Sequence, residues 1–320
     1  MSMPRAAIIA NPVKIDIPQL RQLLPALEKA HGYGETRVFE TTAESPGAEQ
    51  AQEALDEGFA LIVAAGGDGT VRLVADTLAG TDVPLGIIPA GTGNLLARNL
   101  GLADNRIRVF EVEDALEVAF GGRDRRIDLG EVEVDRPDGS RERLRFGVIA
   151  GLGIDAGMIE HTDEDLKAKI GWLAYGGGIA KWLLGSGAFS ARYKLAGGRT
   201  WGTRASSIMI GNSGSLPGGL NLLPDADIAD GLIDMVIMRP RGPLGWAMVA
   251  AGVVARNLPG VRPHGLHALN YFQAKEIRLR IDSAPQDFEL DGDTAGKIVA
   301  LRAHTLPGAL VARVPATGAA

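Results

Sequence analysis

Twice between Phe59 and Arg98 the chain runs an apolar stretch straight into a glycine-rich loop that opens a helix. Phe59–Ala65 leads into Gly66-Gly67-Asp68-Gly69-Thr70, and Leu85–Ile88 leads into Pro89-Ala90-Gly91-Thr92-Gly93-Asn94. Glycines at a strand exit let backbone amides approach an anion, and the following helix N-terminus adds partial positive charge. Two neighbouring parallel strands built this way deliver both loops to one sheet edge, as a polyphosphate cradle. Neither loop has the spacing of a P-loop or of a GxGxxG dinucleotide fingerprint. Asp68 would repel a bare phosphate, so it is expected beside Mg²⁺ or a ribose hydroxyl. A capped glycine-rich turn is the plainer alternative.

The flanking sequence fixes the fold class. Strands at Arg5–Ala10, Glu35–Thr41, Phe59–Ala65 and Leu85–Ile88 alternate with helices. The first helix is capped by Asp16, with Leu20, Leu23, Leu24 and Leu27 on its buried side; the second opens at Ser45-Pro46; others cover Thr70–Leu78 and Asn94–Leu100. This alternation predicts a mostly parallel, covered sheet. After about Arg123 the pattern becomes short strands, at 127–134, 143–149, 191–195, 206–210, 232–238, 277–281 and 297–301, with helices near 164–184 and 243–257. The expectation is an α/β domain over 1–122, a β-rich domain over 123–314 and a tail at 315–320. Gly176-Gly177-Gly178 predicts a bend in the 164–184 helix.

Forty-three glycines, about twice the usual ~7%, have no collagen-like period to absorb them. Cysteine is absent, which excludes disulfides and thiolate metal sites. The N-terminal apolar run is too short for a signal-peptide core, and no segment reaches the ~18 uncharged residues of a membrane helix. Gly242–Ala255 comes nearest and reads as a buried helix. A soluble, cytoplasmic chain is expected. The net charge of −6 conceals a gradient: residues 1–122 carry −8, whereas 166–262 carry +7 together with all four tryptophans. That stretch predicts peripheral contact with an anionic membrane surface, with scattered solvated charges as the alternative. No nucleic-acid partner is expected.

GGDGTV followed by GIIPAGTGNLLARNLG resembles the catalytic domain of the diacylglycerol kinase and sphingosine kinase superfamily. The likeness continues through Asn11-Pro12, Thr42, FGVIAGLGIDAG, IGNSGSLPGGLNLLPDADIADGLIDMVIM and ELDGD at Glu289–Asp293. It implies an α/β domain and a β-sandwich-like domain with ATP in the cleft between them. It also implies that Asn11, Thr42, Gly66, Gly67, Asp68, Gly69, Thr70, Gly91, Thr92, Gly93 and Asn94 form the nucleotide site. Asp230, with the carbonyls of Asp227 and Leu232, would correspond to a structural Mg²⁺ site; the crowding of Asp225, Asp227, Asp230 and Asp234 suits a cation that takes oxygen ligands. Asp293 would be the general base on the acceptor hydroxyl. Most members of the family have Glu there, so the carboxylate is kept with a reach shorter by ~1.5 Å. A plain Asp-Gly hairpin is the alternative.

The resemblance implies a kinase that moves the γ-phosphate of ATP to a hydroxyl of a membrane lipid, diacylglycerol or a relative. An NAD kinase shares the GGDGT loop and the two-domain plan, while the PAGTGN loop and the DGD segment resemble the lipid kinases. A catalytically silent nucleotide- or lipid-binding protein is the third reading. Five histidines without H-x-E or H-E-x-x-H spacing argue against a zinc hydrolase.

Overall fold

The computed structural model describes residues 3–104, 108–153, 187–217, 221–240, 242–256 and 268–316. Two compact units emerge, and they are interleaved in sequence. Unit 1 takes residues 1–129, 228–230 and 306–320; unit 2 takes 130–227 and 231–305. The segments 1–122 and 123–314 were expected to be contiguous. The difference arises because the last strand of the chain returns to the first unit.

Unit 1 contains β1 (Ala6–Ala10), α1 (Ile17–His31), β2 (Arg37–Glu40), α2 (Ala48–Asp56), β3 (Leu61–Gly66), α3 (Asp68–Leu78), β4 (Leu85–Pro89), α4 (Leu95–Asn99), the hairpin β5 (Ala103–Asp104) and β6 (Arg108–Val109), and α5 (Val112–Gly121). Its strands lie in the order β4-β3-β1-β2, all parallel. β1, β3 and β4 are buried at every residue, as continuous apolar runs in a covered parallel sheet should be. Asp16 caps α1 by accepting the Gln19 amide at 2.9 Å, and Gly32 ends it in the left-handed region at φ 73°. Leu20 and Leu24 are buried as expected, while Leu23 and Leu27 pack partly buried against the same core.

The α5 helix, not expected from the sequence, brings Ala115, Leu116, Ala119 and Phe120 into that core with Ile8, Val63 and Ile88. A methyl group on Gly86 of β4 would sit 2.8 Å from the Ala119 side chain, so this glycine is required by the helix above it. Ser45 does not cap α2: Gly47 holds the cap position at φ 138°, and the Ser45 hydroxyl instead donates to Glu49 at 2.7 Å.

The strand pairings described within unit 2 are antiparallel. The unit contains β7 (Arg123–Asp135, entering from unit 1), β8 (Arg141–Phe146), β9 (Ile149–Leu152), β10 (Phe189–Leu195), β11 (Thr200–Ala205), β12 (Ser207–Gly211), β13 (Ile233–Met238), α6 (Gly242–Arg256), β14 (Leu269–Ala274), β15 (Glu276–Ile281), β16 (Gln286–Leu290), β17 (Asp293–Ile298) and the first part of β18 (Ala300–Val314), which belongs to unit 1 from Leu306 onward. One layer runs β11-β10-β15-β18 with the β7–β8 hairpin, the other β14-β13-β12-β9-β16-β17. Ala191, Ile277 and Leu279 from the first layer share one core with Ile208, Met235 and Phe288 from the second. This is a β-sandwich. The strand expected at 297–301 is in fact the junction of two, because β17 ends at Ile298 and β18 begins at Ala300. β18 continues to Val314, where Ala312 pairs in parallel with Leu85 of unit 1.

The solvent face of the first layer is cationic. Lys194 stands directly opposite Arg278, and Arg278 opposite Arg302; one row along, Arg192 stands opposite Arg280. Like charges in direct opposition destabilise a sheet. Two carboxylates offset them: Glu276 binds Arg278 at 2.7 Å and Arg302 at 2.6 and 2.8 Å, and Asp282 binds Arg192 at 2.7 Å. Arg302 first, then Arg278, hold the Glu276 carboxyl below its usual range, and Arg192 does the same for Asp282.

The expected buried helix at 242–255 is buried on one side only. Val249 and Val253 face inward, whereas Leu244, Met248 and Val254 are exposed at 75%, 42% and 54%. The expected helix at 164–184 and its Gly176–Gly178 bend lie outside the described residues.

Candidate functional site: two clasped glycine loops

In unit 1 the chain passes from β1 outward to β2, then crosses back over β1 to β3 and on to β4. The strand order therefore reverses between β1 and β3. In an open parallel sheet the crevice beyond the carboxyl ends at such a switch point is where ligands bind. Asn11, Thr42, the Gly66–Thr70 loop and the Gly91–Asn94 loop all follow the carboxyl ends of these four strands, so the structure brings these expected positions to one edge.

The two glycine loops touch. A methyl group on Gly91 would lie 2.9 Å from the Gly67 Cα, and one on Gly93 would lie 2.6 Å from Asp68 Oδ2. Asp68 is the clasp: Oδ2 accepts the Asn94 amide at 2.8 Å and Oδ1 accepts the Leu95 amide at 2.5 Å. Both carboxylate oxygens are thus engaged at the N-terminus of α4, whose first amides have no helical partner. Asp68 was expected beside a metal or a ribose hydroxyl; the contact described here is with the second loop. Its carboxylate holds the second loop against the first.

Asn94 has a similar role. At φ 49° it adopts the left-handed conformation that Asn tolerates, its Oδ1 accepts the Gly91 amide at 2.8 Å and its Nδ2 donates to the Gly91 carbonyl at 2.6 Å. Arg98, buried, donates from Nε to the Gly93 carbonyl at 2.7 Å. The amides of Gly91, Asn94 and Leu95 are occupied within the loop, so these residues shape the cradle. On the first loop, Gly67 is the cap position of α3 and Thr70 packs buried against Gly66, where an added methyl would meet its Cβ at 3.0 Å. This leaves the start of α3 as the helix N-terminus at the crevice.

The remaining expected positions are turn-formers here. Asn11 Oδ1 accepts the Val13 amide at 3.0 Å, and its carbonyl accepts those of Lys14 and Ile15, each at 3.0 Å. The Thr42 hydroxyl accepts the Ser45 amide at 3.1 Å. The Glu44 carboxyl lies below its usual range, first through its own backbone amide and then through the Thr42 hydroxyl.

One residue was missed. Lys14, at the end of the Asn11 turn, carries its ammonium over the first glycine loop: a methyl group on Gly67 would meet Nζ at 2.5 Å. Its signal was a lone lysine three residues after Asn11 in an otherwise acidic half of the chain.

In unit 2, Asp291 and Gly292 form a two-residue hairpin between Leu290 and Asp293, at φ 48° and 90°. Positive φ at both central positions is the type I′ signature. The Asp291 carboxylate is buried and accepts three consecutive amides, Gly147 at 2.7 Å and Val148 and Ile149 at 2.9 Å, while its own amide donates to the Ile149 carbonyl at 2.8 Å. Asp293 is the half-buried first residue of β17.

Asp227 and Asp230 lie exposed in the turn before β13, with Leu232 half-buried beside that strand. Among the described residues no three carboxylate or imidazole side chains converge as a metal cage. A cation site here would depend on one or two carboxylates plus backbone carbonyls, a donor chemistry that suits hydrated Mg²⁺. Of the basic, tryptophan-bearing stretch at 166–262, Trp201 is exposed with the Arg199 guanidinium 4.1 Å above its ring, and Trp246 is half-buried. Trp172 and Trp182 lie outside the described residues. No described helix is long and apolar enough to cross a membrane.

Comparison with known proteins agrees with this geometry. The family described as "Diacylglycerol kinase catalytic domain" matches residues 5–132, and that described as "YegS C-terminal NAD kinase beta sandwich-like domain" matches 148–313. "Diacylglycerol kinase" of Bacillus subtilis (strain 168) is 29% identical over 306 residues, covering 92% of each chain. "Probable lipid kinase YegS-like" of Pseudomonas aeruginosa PAO1 is 33% identical over 275 residues, covering 83% of this chain and 80% of the other. The crystal structure of a diacylglycerol kinase from Bacillus anthracis str. Sterne superposes with a TM-score of 0.67 at 18% identity, covering 98% of each chain, and yeast NADH kinase complexed with NADH with 0.52 at 13% identity, covering 99% of this chain and 85% of the other. The last two likenesses concern the fold alone. With an α/β unit that clasps two glycine loops, a β-sandwich unit and sequence matches across both, the chain belongs to the diacylglycerol kinase and YegS-like lipid kinase family, which transfers phosphate to a lipid alcohol.

Proposed function

We propose that the chain transfers the γ-phosphate of ATP to the hydroxyl of diacylglycerol or a closely related lipid. The observation that carries the nucleotide half is the clasp itself: two glycine loops held together by Asp68 at the sheet's switch point, with the Lys14 ammonium over Gly67. The α3 N-terminus and Lys14 supply positive charge for the phosphates, while Asn94 and Arg98 hold the second loop in shape. When bound, Mg²⁺ neutralises charge on the triphosphate. Asp230, with the carbonyls of Asp227 and Leu232, would hold a structural Mg²⁺.

Catalysis by this chain then consists of positioning plus one proton transfer. Asp293 accepts the proton of the lipid hydroxyl as its oxygen bonds to the γ-phosphorus and the bond to the β,γ-bridging oxygen breaks, releasing ADP. Asp291 fixes the hairpin from which Asp293 extends. The catalytic role of Asp293 rests on its motif, on its half-buried place at the start of β17, and on the rigidity of the turn before it.

The test is incubation with labelled ATP and a total lipid extract, followed by mass spectrometry of the labelled product. A labelled phosphatidic acid supports the reading. Label on NAD, included in a parallel reaction because of the shared fold with NADH kinase, would replace it. ATP binding without transfer to any acceptor would identify a silent binding protein.

A further inference from the structure

The α6 helix is apolar on both faces. From Gly242 to Ala255 it contains no ionisable residue, and in sequence it is bracketed by Arg241 and Arg256. Gly245, Val249, Gly252 and Val253 occupy the buried side. Leu244, Met248, Ala251 and Val254 recur at helical spacing on the opposite side, and all four are exposed. A helix apolar all round is normally enclosed by protein or by lipid. At 15 residues it spans about 22 Å along its axis, too short to cross a bilayer.

From this we infer that α6 is the element by which the protein seats in a lipid surface. The helix lies along the interface with Leu244, Met248 and Val254 among the acyl chains. The inference rests on the lipid-kinase reading, since an enzyme whose acceptor resides in a bilayer must meet that bilayer. Three features favour a bilayer over a protein partner. The exposed face lacks the polar and charged groups that give protein interfaces register and specificity. Its bulk is concentrated in three flexible or branched aliphatic side chains. The flanking arginines suit a headgroup region on either side of an inserted apolar stretch. Hydrophobic seating of this kind is distinct from attraction to anionic headgroups and should persist at high salt.

The absence of cysteine makes the test direct, because one introduced thiol carries the only label. Leu244→Cys is labelled with an environment-sensitive fluorophore and mixed with phosphatidylcholine vesicles containing diacylglycerol, without ATP. A blue shift is expected that survives 0.5 M salt (about a 4 Å Debye length), with no shift from a label at Gln52→Cys on α2. The Leu244→Asp/Met248→Asp double variant should partition onto these vesicles at least about tenfold more weakly. It should keep its nucleotide affinity and its activity on a short-chain acceptor dispersed in solution. Because both positions are already exposed, its thermal unfolding should match the wild type. No shift at position 244 on vesicles that sediment the wild-type protein would overturn the inference, as would unchanged partitioning of the double variant. Concentration-dependent dimerisation lost in the double variant, without vesicle binding, would assign the face to a second copy of the chain and also overturn it. A protein that shifts on vesicles but phosphorylates no lipid would sink the kinase reading and leave this one standing. Lipid phosphorylation without the shift would do the reverse.

Discussion

The carboxylate of Asp68 receives the backbone amide of Leu95, 27 residues further along the chain, at 2.5 Å, and thereby fixes the start of α4 to the start of α3. Asp68→Ala leaves this amide and that of Asn94 without their acceptor in a part-buried place, at a cost of about 1–3 kcal/mol. The variant should fold, show a lower midpoint in thermal or urea unfolding, and lose most of its ATP affinity by calorimetry. Asp68→Asn keeps one acceptor oxygen and should fall between. Wild-type stability together with wild-type affinity in Asp68→Ala would dissolve the clasp as an explanation of the site.

Lys14 should act on nucleotide affinity more than on turnover. A charge-assisted contact to phosphate contributes about 1.5–3 kcal/mol, so Lys14→Met should weaken ATP binding by roughly 10- to 150-fold while kcat falls much less. ADP should be less affected than ATP if the ammonium faces the terminal phosphate. Titrations of both nucleotides against the two proteins measure this. An unchanged ATP dissociation constant would remove Lys14 from the site.

For Asp293 the pattern across variants decides. Asp293→Asn and Asp293→Ala should each cut kcat by roughly 10²–10⁴ with ATP affinity nearly unchanged, because only a proton transfer is lost. Asp293→Glu should keep much of the activity. Asp291→Ala provides the contrast: it orphans three buried amides and should lower stability as well as turnover. Wild-type turnover in Asp293→Asn would make the residue part of a hairpin and no more.

The Glu276 carboxyl lies below its ordinary range in the folded chain, held first by Arg302. A depressed folded pKa contributes stability that is present above the unfolded Glu value, about 4.3, and is lost as pH falls through the lower folded one. Acid unfolding should therefore steepen below about pH 4. Glu276→Gln should be less stable at neutral pH, where three cations would confront each other across the strands. It should also show a shallower acid limb between pH 4 and pH 2. A variant whose pH profile parallels the wild type would show that the pair contributes nothing measurable, as exposed pairs often do.

Much of the local structure around the candidate site was legible because its signals are local. Strand, glycine loop and helix succeed one another within a dozen residues, and Asp16 sits three residues before the amide it caps. The role of Asp68 was not, because its partners lie 26 and 27 residues downstream, and only the sheet order brings them to it. A carboxylate among glycines reads as an anion problem in sequence and as a hydrogen-bond acceptor in the fold. The α5 helix escaped for a related reason: its short apolar run follows the β5–β6 hairpin without a polar cap, since Glu111 makes no capping bond. The last strand was expected to end at Leu301, since the alternating pattern weakens beyond it. Gly308 donates its amide to Asp128 at 2.7 Å, and the strand continues to Val314.

That continuation has a practical consequence for anyone who dissects the gene. A fragment ending after the first 122 or 129 codons would lack Leu306–Val314, and with it the neighbour that β4 meets at Ala312. β4 would then present an unpaired apolar edge, and such edges recruit other chains. The α/β half should be recoverable as a free-standing protein only if its last strand is grafted back, by circular permutation or by co-expression of the C-terminal peptide. Soluble yield of the fragment with and without that peptide would measure how far one strand secures the half to which it returns.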